Sequence, residues 1–298
     1  MPPVRLIVLD LDNTIYDWLG FYIPSFLAMI KELSRLTGID AEDLKAAFKR
    51  VHEKHTTTEY AFAIEELDVL HAKHGKLTVK QTLERYGPAI EAFRRTRQRT
   101  MRLYDGVSES LAELRNRGKT LVAMTDTFDY YAIRRLKDLG VEEYFSAICA
   151  PRDPGLPPGV SPREARRYTD PSRYETIIPH RISPEAGKRK PDPSILGNLL
   201  TTMAVPAQET ILVGDSLSRD IRMGQSCGAW DVYAKYGDNV NPEYYQELLK
   251  ITYWGYEDVK EHVQLDAGVI VPTFAIGAFG EIFQVIQEIE SRAGADRS

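Results

Sequence analysis

The stretch "LIVLDLDNTIYD", Leu6 to Asp17, decides how the rest of the chain is read. Four apolar residues run without a break into Asp10, and a second acid, Asp12, follows two positions later. A continuous apolar run suits a strand covered on both faces, here spanning Val4 to Leu9. Alternation along a strand would send Asp10 and Asp12 to the same side. Isolated carboxylates are costly to bury, so a metal ion, a chemical task, or both must compensate them.

Downstream, the pattern from Gly20 to about Arg102 is helical and contains no convincing strand. Pro24 suits the first turn of a helix running to Thr37, with Gly38 as its stop. Asp40 and Asp43 would cap a second helix ending near Lys54. A third is expected over Thr58–His74, closed by Gly75. A fourth begins near Thr78, where Pro88 should kink or split it.

Strand and helix then alternate. Helices are expected over Ser108–Arg117 and Tyr130–Leu139, with "TLVAMTDT", "FSAICA", "TILVGDS" and "WDVYAK" as strands. A further helix ends near Ser226. Such alternation implies an α/β fold, a Rossmann-like parallel sheet with helices on both faces. Ligands of open sheets sit beyond the carboxyl ends of the strands, and Asp10, Thr125 and Asp215 all fall there.

Pro151 to Lys190 breaks the rhythm, holding eight of the 17 prolines and many arginines. A loop of that length in a compact domain is usually functional or mobile. The C-terminal region predicts a helix over Pro242–His262, the apolar run "GVIVPTF", and a last helix over Ile276–Arg292.

Composition narrows the functional classes. A 298-residue chain provides one large or two modest domains. Hydrophobic residues make up 43% and charged ones 27%, as in soluble globular proteins. The net charge of −5 argues against a dedicated binder of nucleic acid polymers, which need a basic face. No apolar stretch would span a bilayer, and the N-terminus lacks the pattern of a secretory signal. Cys149 and Cys227 read as free, inert thiols in a reducing compartment, so a cytoplasmic location is expected. Oligomeric state leaves no trace in the sequence.

Three further pieces stand beside the opening acids. Thr125 ends an apolar strand, Lys190 lies in "GKRKPDP", and Asp215 and Asp220 lie in "GDSLSRD". A hydroxyl, a lysine and four acids at one sheet edge form an inventory for phosphate chemistry. Magnesium takes oxygen ligands, binds one or two carboxylates and keeps several waters; Asp10 and Asp215 could supply those carboxylates. Lys190 and the metal would offset repulsion between the acids and a phosphate dianion. Thr125 and backbone N–H groups opening the next helix would hold phosphate oxygens.

"DLDNT", "AMTDT", "KRKPDP" and "GDSLSRD", in this order and context, resemble the four motifs of the haloacid dehalogenase superfamily. The resemblance covers Val4–Thr14 and Arg102–Tyr236. It implies a core built from residues 1–18 and 103–298, with an insertion at 151–189 and an extension at 237–298. Residues 19–102 would be an all-helical cap, as one large branch inserts after its first motif.

The resemblance also implies a division of labour. Asp10 would attack phosphorus and become an aspartyl phosphate. Asp12 would be general acid, then general base, and its backbone carbonyl would bind magnesium. Thr14 would orient the turn. Thr125 and the backbone N–H of Asp126 would bind phosphate, and Lys190 would neutralise phosphate and Asp10. Asp215 would ligate the metal, and Asp220 would do so directly or through water. Dehalogenating members lack the second acid, so Asp12 points to phosphoryl transfer. Asn13 departs from the commoner glycine and Asp126 from the commoner asparagine; an inward-facing Asp126 carboxylate would disfavour a phosphate dianion.

The expected reaction is therefore magnesium-dependent hydrolysis of a small phosphomonoester. "DLDNT" resembles a branch that includes pyrimidine nucleotidases, which puts a nucleotide monophosphate first and leaves sugar phosphates and phosphoglycolate open. A sugar-phosphate phosphomutase and a non-catalytic phosphate binder are the rivals.

Other motifs admit plainer readings. "FRRTRQRTMR" reads as a solvated basic helix face or as an anion-attracting hinge. Arg163, Arg166, Arg167, Arg173 and Arg181 carry the same two readings. His52 with His55, and His71 with His74, have helical spacing but lack a completing ligand set, so they read as surface histidines. "GQSCG" matches a nucleophile elbow by its letters, yet it ends a helix instead of following a strand.

Overall fold

The computed structural model describes residues 3–161, 175–254 and 270–295. Its centre is β1, Leu6–Leu9, flanked by β2, Thr120–Met124, and β5, Thr210–Gly214. Outward on one side lie β3, Ala147–Cys149, and β4, His180–Ile182. On the other lie β6, Trp230–Ala234, and β7, Phe274–Ile276. All six pairings are parallel. The α/β expectation holds.

Side-chain alternation assigns each strand residue to a face. Leu6, Val8, Val122, Met124 and Leu212 pack with Ile195, Leu196 and Leu199 of α7, Pro193–Met203. Ile7, Leu9, Leu121, Ala123, Ile211 and Val213 pack on the opposite face. There they meet α5, Val107–Asn116, α6, Asp129–Asp138, and α10, Ile282–Ala295. Each fully buried Leu or Ile contributes about 1.5–3 kcal/mol, so the two-sided core fixes the register of β1.

Between β1 and β2 run α1, Trp18–Thr37, α2, Ala41–His55, α3, Asp68–His74, and α4, Val79–Thr100. Several expectations are corrected here. Asp17 caps α1 by accepting from the Gly20 N–H at 2.7 Å, so the helix starts before Pro24 and carries that proline inside. Pro88 does not divide α4, whose start is fixed by a Thr78–Gln81 capping box. The expected third helix is open in its first part: only a short turn at Ile64–Glu66 precedes α3. His52 is fully buried, not on the surface, and donates through Nδ1 to the Ile251 carbonyl at 2.7 Å.

Asp192 caps α7, and α8, Arg222–Cys227, follows the turn after β5. Ser226 donates to the Arg222 carbonyl at 2.7 Å, as a residue closing α8. α9, Pro242–Ile251, lies against α1 and α2. α9 ends at Ile251, where Thr252 turns extended, short of the expected His262; residues 255–262 lie outside the described residues, and α10 begins at Ile282 instead of Ile276. Cys149 and Cys227 are unpaired. No described helix is long and apolar enough to cross a membrane.

Candidate active site

The carboxyl ends of β1 and β5 build the centre of the site. The Asp10 N–H donates to Val213 O at 2.9 Å, so the sheet ladder fixes the first acid. The chain then turns sharply: Leu11 O accepts from Thr14 N at 3.2 Å and from Ile15 N at 2.9 Å. Asn13 takes the left-handed conformation with φ of 60°. Asparagine tolerates that region, which explains how it replaces glycine. Thr14 donates to Asp215 Oδ1 at 3.4 Å, tying the turn to β5.

β5 ends on Gly214, where an added Cβ would lie 2.3 Å from Asp220 Cγ. Only glycine admits the returning carboxylate. A π turn over Leu217–Ile221 folds Asp220 back so that its Oδ2 accepts from the Ser216 N–H at 3.3 Å. Such turns recur at functional sites.

Asp10, Asp215 and Asp220 each present an oxygen within 4.8 Å of the others. The Lys190 ammonium donates to Asp10 and, at 2.7 Å, to Asp220. Burial pushes Asp10 up to about 7, with Lys190 opposing and Asp220 and Asp12 adding to the rise. Burial, then Asp10 and Asp220, push Asp215 well above the carboxylate range. Burial alone would lower Lys190, but Asp10 and Asp220 hold it above its ordinary value. Three carboxylates facing one ammonium leave uncompensated negative charge. An all-oxygen donor set of this kind fits a hard divalent cation.

Thr125 is buried and its Oγ1 accepts from the Thr127 N–H at 3.0 Å. Asp126 does not turn its charge on a phosphate position. Its Oδ1 accepts from the Lys190 N–H at 3.2 Å and its Oδ2 from Arg219.

Asp12 stands apart from the three-acid group. One of its oxygens accepts from Thr127 Oγ1 at 2.8 Å and the other from Arg135 Nη1 at 2.9 Å. Arg135 also donates to Glu59, which lies in the open segment before α3. Sequence reasoning missed both residues. A signal existed for Arg135: with Ala132, Leu136 and Leu139 it occupies one i, i+3, i+4, i+7 stripe, a charge where an apolar residue belongs.

All seven residues singled out in the sequence, Asp10, Asp12, Thr125, Asp126, Lys190, Asp215 and Asp220, line one cavity of about 410 Å³. Trp18, Thr58 and Glu59 form part of its wall, and so do Tyr245, Leu248, Tyr253 and Trp254 from the C-terminal region. Arg189 joins these pieces by donating to Tyr253 and, at 2.8 Å, to Thr56 O.

Arg181 is not among the cavity residues; it pairs with Asp129 at 3.4 Å. The anion-gripping role considered for it is therefore not supported, and Arg163, Arg166, Arg167 and Arg173 lie outside the described residues. Arg97, in the basic run of α4, is mostly buried and paired with Asp138 at 3.2 Å, so that face is not wholly solvated.

A family model of haloacid dehalogenase-like hydrolases matches residues 4–228, which contain every one of these acids. The chain belongs to the haloacid dehalogenase-like hydrolases. Among curated relatives, a phosphoserine phosphatase from Thermus thermophilus is 24% identical over 260 residues, covering 78% of this chain and 90% of that one. A glyceraldehyde 3-phosphate phosphatase from Methanopyrus kandleri is 22% identical over 291 residues, covering 96% and 98%. A 2-haloacid dehalogenase structure from Pseudomonas syringae shares the fold, with a TM-score of 0.56 at 16% identity and coverage of 97% and 99%.

Proposed function

We propose that this hydrolase is a magnesium-dependent phosphatase that cleaves a small phosphomonoester through an aspartyl phosphate on Asp10. The observation that carries this reading is Lys190 bridging the buried Asp10 and Asp220, with the half-buried Asp215 in the same acidic group. The names of the two curated relatives support phosphate ester hydrolysis.

In this reading, a carboxylate oxygen of Asp10 attacks phosphorus as the bond to the leaving oxygen breaks. Asp12 gives its proton to that oxygen. It then takes a proton from the water that attacks the aspartyl phosphate, which regenerates the Asp10 carboxylate and frees phosphate. Thr125 and the Asp126 N–H hold the phosphoryl oxygens. Lys190 balances their charge and keeps Asp10 in place. Asp126 acts through its backbone, while its side chain secures Lys190 and Arg219.

Asp10, Asp215 and the Asp12 carbonyl would hold magnesium, with Asp220 as a further ligand directly or through water. When bound, the ion supplies positive charge that favours ionised Asp10 and Asp215 beside a phosphate dianion.

Residues 19–102 serve as the cap and 103–298, with 1–18, as the core. The cap segment contributes Thr56, Thr58 and Glu59 to the cavity wall, which supports a role in excluding water and choosing substrates. A nucleoside monophosphate is the first substrate to try, because Trp18, Phe128, Tyr253 and Trp254 line the cavity and offer aromatic faces to a base.

A panel of phosphomonoesters assayed with magnesium for free phosphate tests the reading. Wild type should release phosphate, and Asp10→Asn should abolish release while keeping the fold. An isomerised sugar phosphate without free phosphate would instead identify a mutase. Binding without turnover would identify a non-catalytic phosphate binder.

A further inference from the structure

Arg135 is among the most deeply buried charges in the described residues, with a relative exposure of 3%. Its guanidinium spans two parts of the chain that are far apart in sequence. Nη1 donates to Asp12 Oδ1 at 2.9 Å and lies 3.5 Å from the Tyr16 hydroxyl. Nη2 donates to Glu59, whose side chain is also mostly buried. The rings of Tyr16 and Phe21 flank the guanidinium, with centroids 5.8 Å and 5.2 Å from Cζ. Arginine suits this place because its planar fork holds two carboxylates in fixed directions, which a lysine cannot do.

Burying such a charge is costly unless it is paired. A purely packed helix could place leucine at this position, as the apolar stripe of α6 would allow. The second anchor is also specific. Glu59 lies in the segment where a helix was expected and an open chain is found. The Tyr22 hydroxyl donates to Thr58 O immediately before it, so the open segment is itself held to α1.

We propose that Arg135 is a positioning residue for Asp12 and that Glu59, from the helical segment, is its counter-anchor. This inference rests on the phosphatase reading above. Neither residue touches the phosphoryl group. Arg135 and Thr127 hold one carboxylate oxygen each, which fixes the plane of the Asp12 carboxyl. Glu59 holds the other arm of the guanidinium and so prevents it from swinging away. The helical segment thereby governs whether the proton donor faces the leaving oxygen.

The test uses leaving groups of graded acidity. Phenyl phosphate needs a proton delivered to its oxygen far more than 4-nitrophenyl phosphate does. Wild type, Glu59→Gln, Arg135→Met and Asp12→Asn are assayed on both substrates and on intermediate substituted phenyl phosphates. Glu59→Gln is nearly isosteric and serves if Arg135→Met fails to fold.

The expected result is a steeper dependence of kcat on leaving-group acidity in the Glu59 and Arg135 variants. Their loss on phenyl phosphate should exceed that on 4-nitrophenyl phosphate by roughly tenfold, the lower part of a general acid's usual contribution. Adding either substitution to Asp12→Asn should cost little more, because all act through one proton. Equal losses on every substrate, a change in KM alone, or full additivity with Asp12→Asn would overturn the proposal. A wild-type enzyme that hydrolyses these esters while the variants match its slope refutes the positioning role alone. A wild type that hydrolyses none refutes the phosphatase reading, and the positioning role with it.

Discussion

Lys190 Nζ stands 2.7 Å from Asp220 Oδ1 while also donating to Asp10, so one ammonium serves two buried carboxylates delivered by different strands. Lys190→Met removes the shared partner and leaves both acids unpaired. A buried charge deprived of its partner costs about 3–5 kcal/mol, which urea unfolding in chelator would measure. Turnover of an aryl phosphate should fall about a hundredfold or more, as when one preorganised electrostatic group is lost.

Magnesium should raise the thermal midpoint of wild type, by about 2.7 kcal/mol of stability at a hundred times its Kd. Asp215→Asn should largely lose that response. In chelator, however, this variant should be the more stable of the two, because it relieves like-charge crowding among Asp10, Asp215 and Asp220. Thermal unfolding with and without the ion reads both effects.

His52 predicts a pH dependence. Burial pushes its imidazole down to about 4, from an ordinary value of 6.5. Since Ile251 O can only accept, Nδ1 carries the proton and the ring is neutral. The folded value lies below the unfolded one, so the unfolded chain binds the extra proton between them. The stabilisation is therefore complete above about 6.5 and is lost as pH falls through about 4, amounting to roughly 3 kcal/mol. His52→Gln should flatten this part of the stability profile in urea titrations from pH 7 to pH 4.

Gly214→Ala should destabilise the protein by about 1–3 kcal/mol, the usual cost of forcing an atom into a packed site. The new Cβ would meet the Asp220 carboxyl, so turnover should fall along with stability. Alanine at Gly197, inside α7 where a Cβ meets nothing within 4 Å, should leave turnover unchanged and add about 0.5–1 kcal/mol of stability. Parallel denaturation and kinetic assays separate the two positions.

Sequence legibility followed burial. β1, β2, β5 and β6 are apolar runs with almost every residue inside, and they were readable from hydrophobicity alone. β4 was not: His180 and Arg181 are exposed on an edge strand inside a proline-rich segment. Its strand state comes from pairing with β3, which no local pattern encodes. Pro24 by itself suits a helix start, but the Asp17 cap sets that start at Trp18 and leaves the proline inside. Periodicity suggested a helix over Thr58–His74, but contacts of Thr58 and Glu59 with Tyr22 and Arg135 keep its first part open. Catalytic candidates were legible because their motifs are contiguous. Glu59, Arg135 and the aromatic wall come from separate stretches and meet only in three dimensions.

The placement of α9 bears on the order in which the protein can be completed. A ribosome has made all four motifs once it passes Asp220, yet Tyr245, Leu248, Tyr253 and Trp254 have still to emerge. Lys45 and His52 await Glu247 and Ile251 as partners. A nascent chain therefore carries its acidic cluster with one wall missing, and the tail closes the cavity last. A premature stop near Asn241 would spare every motif residue but remove this wall together with β7 and α10, and so uncover the sheet as well as the chamber.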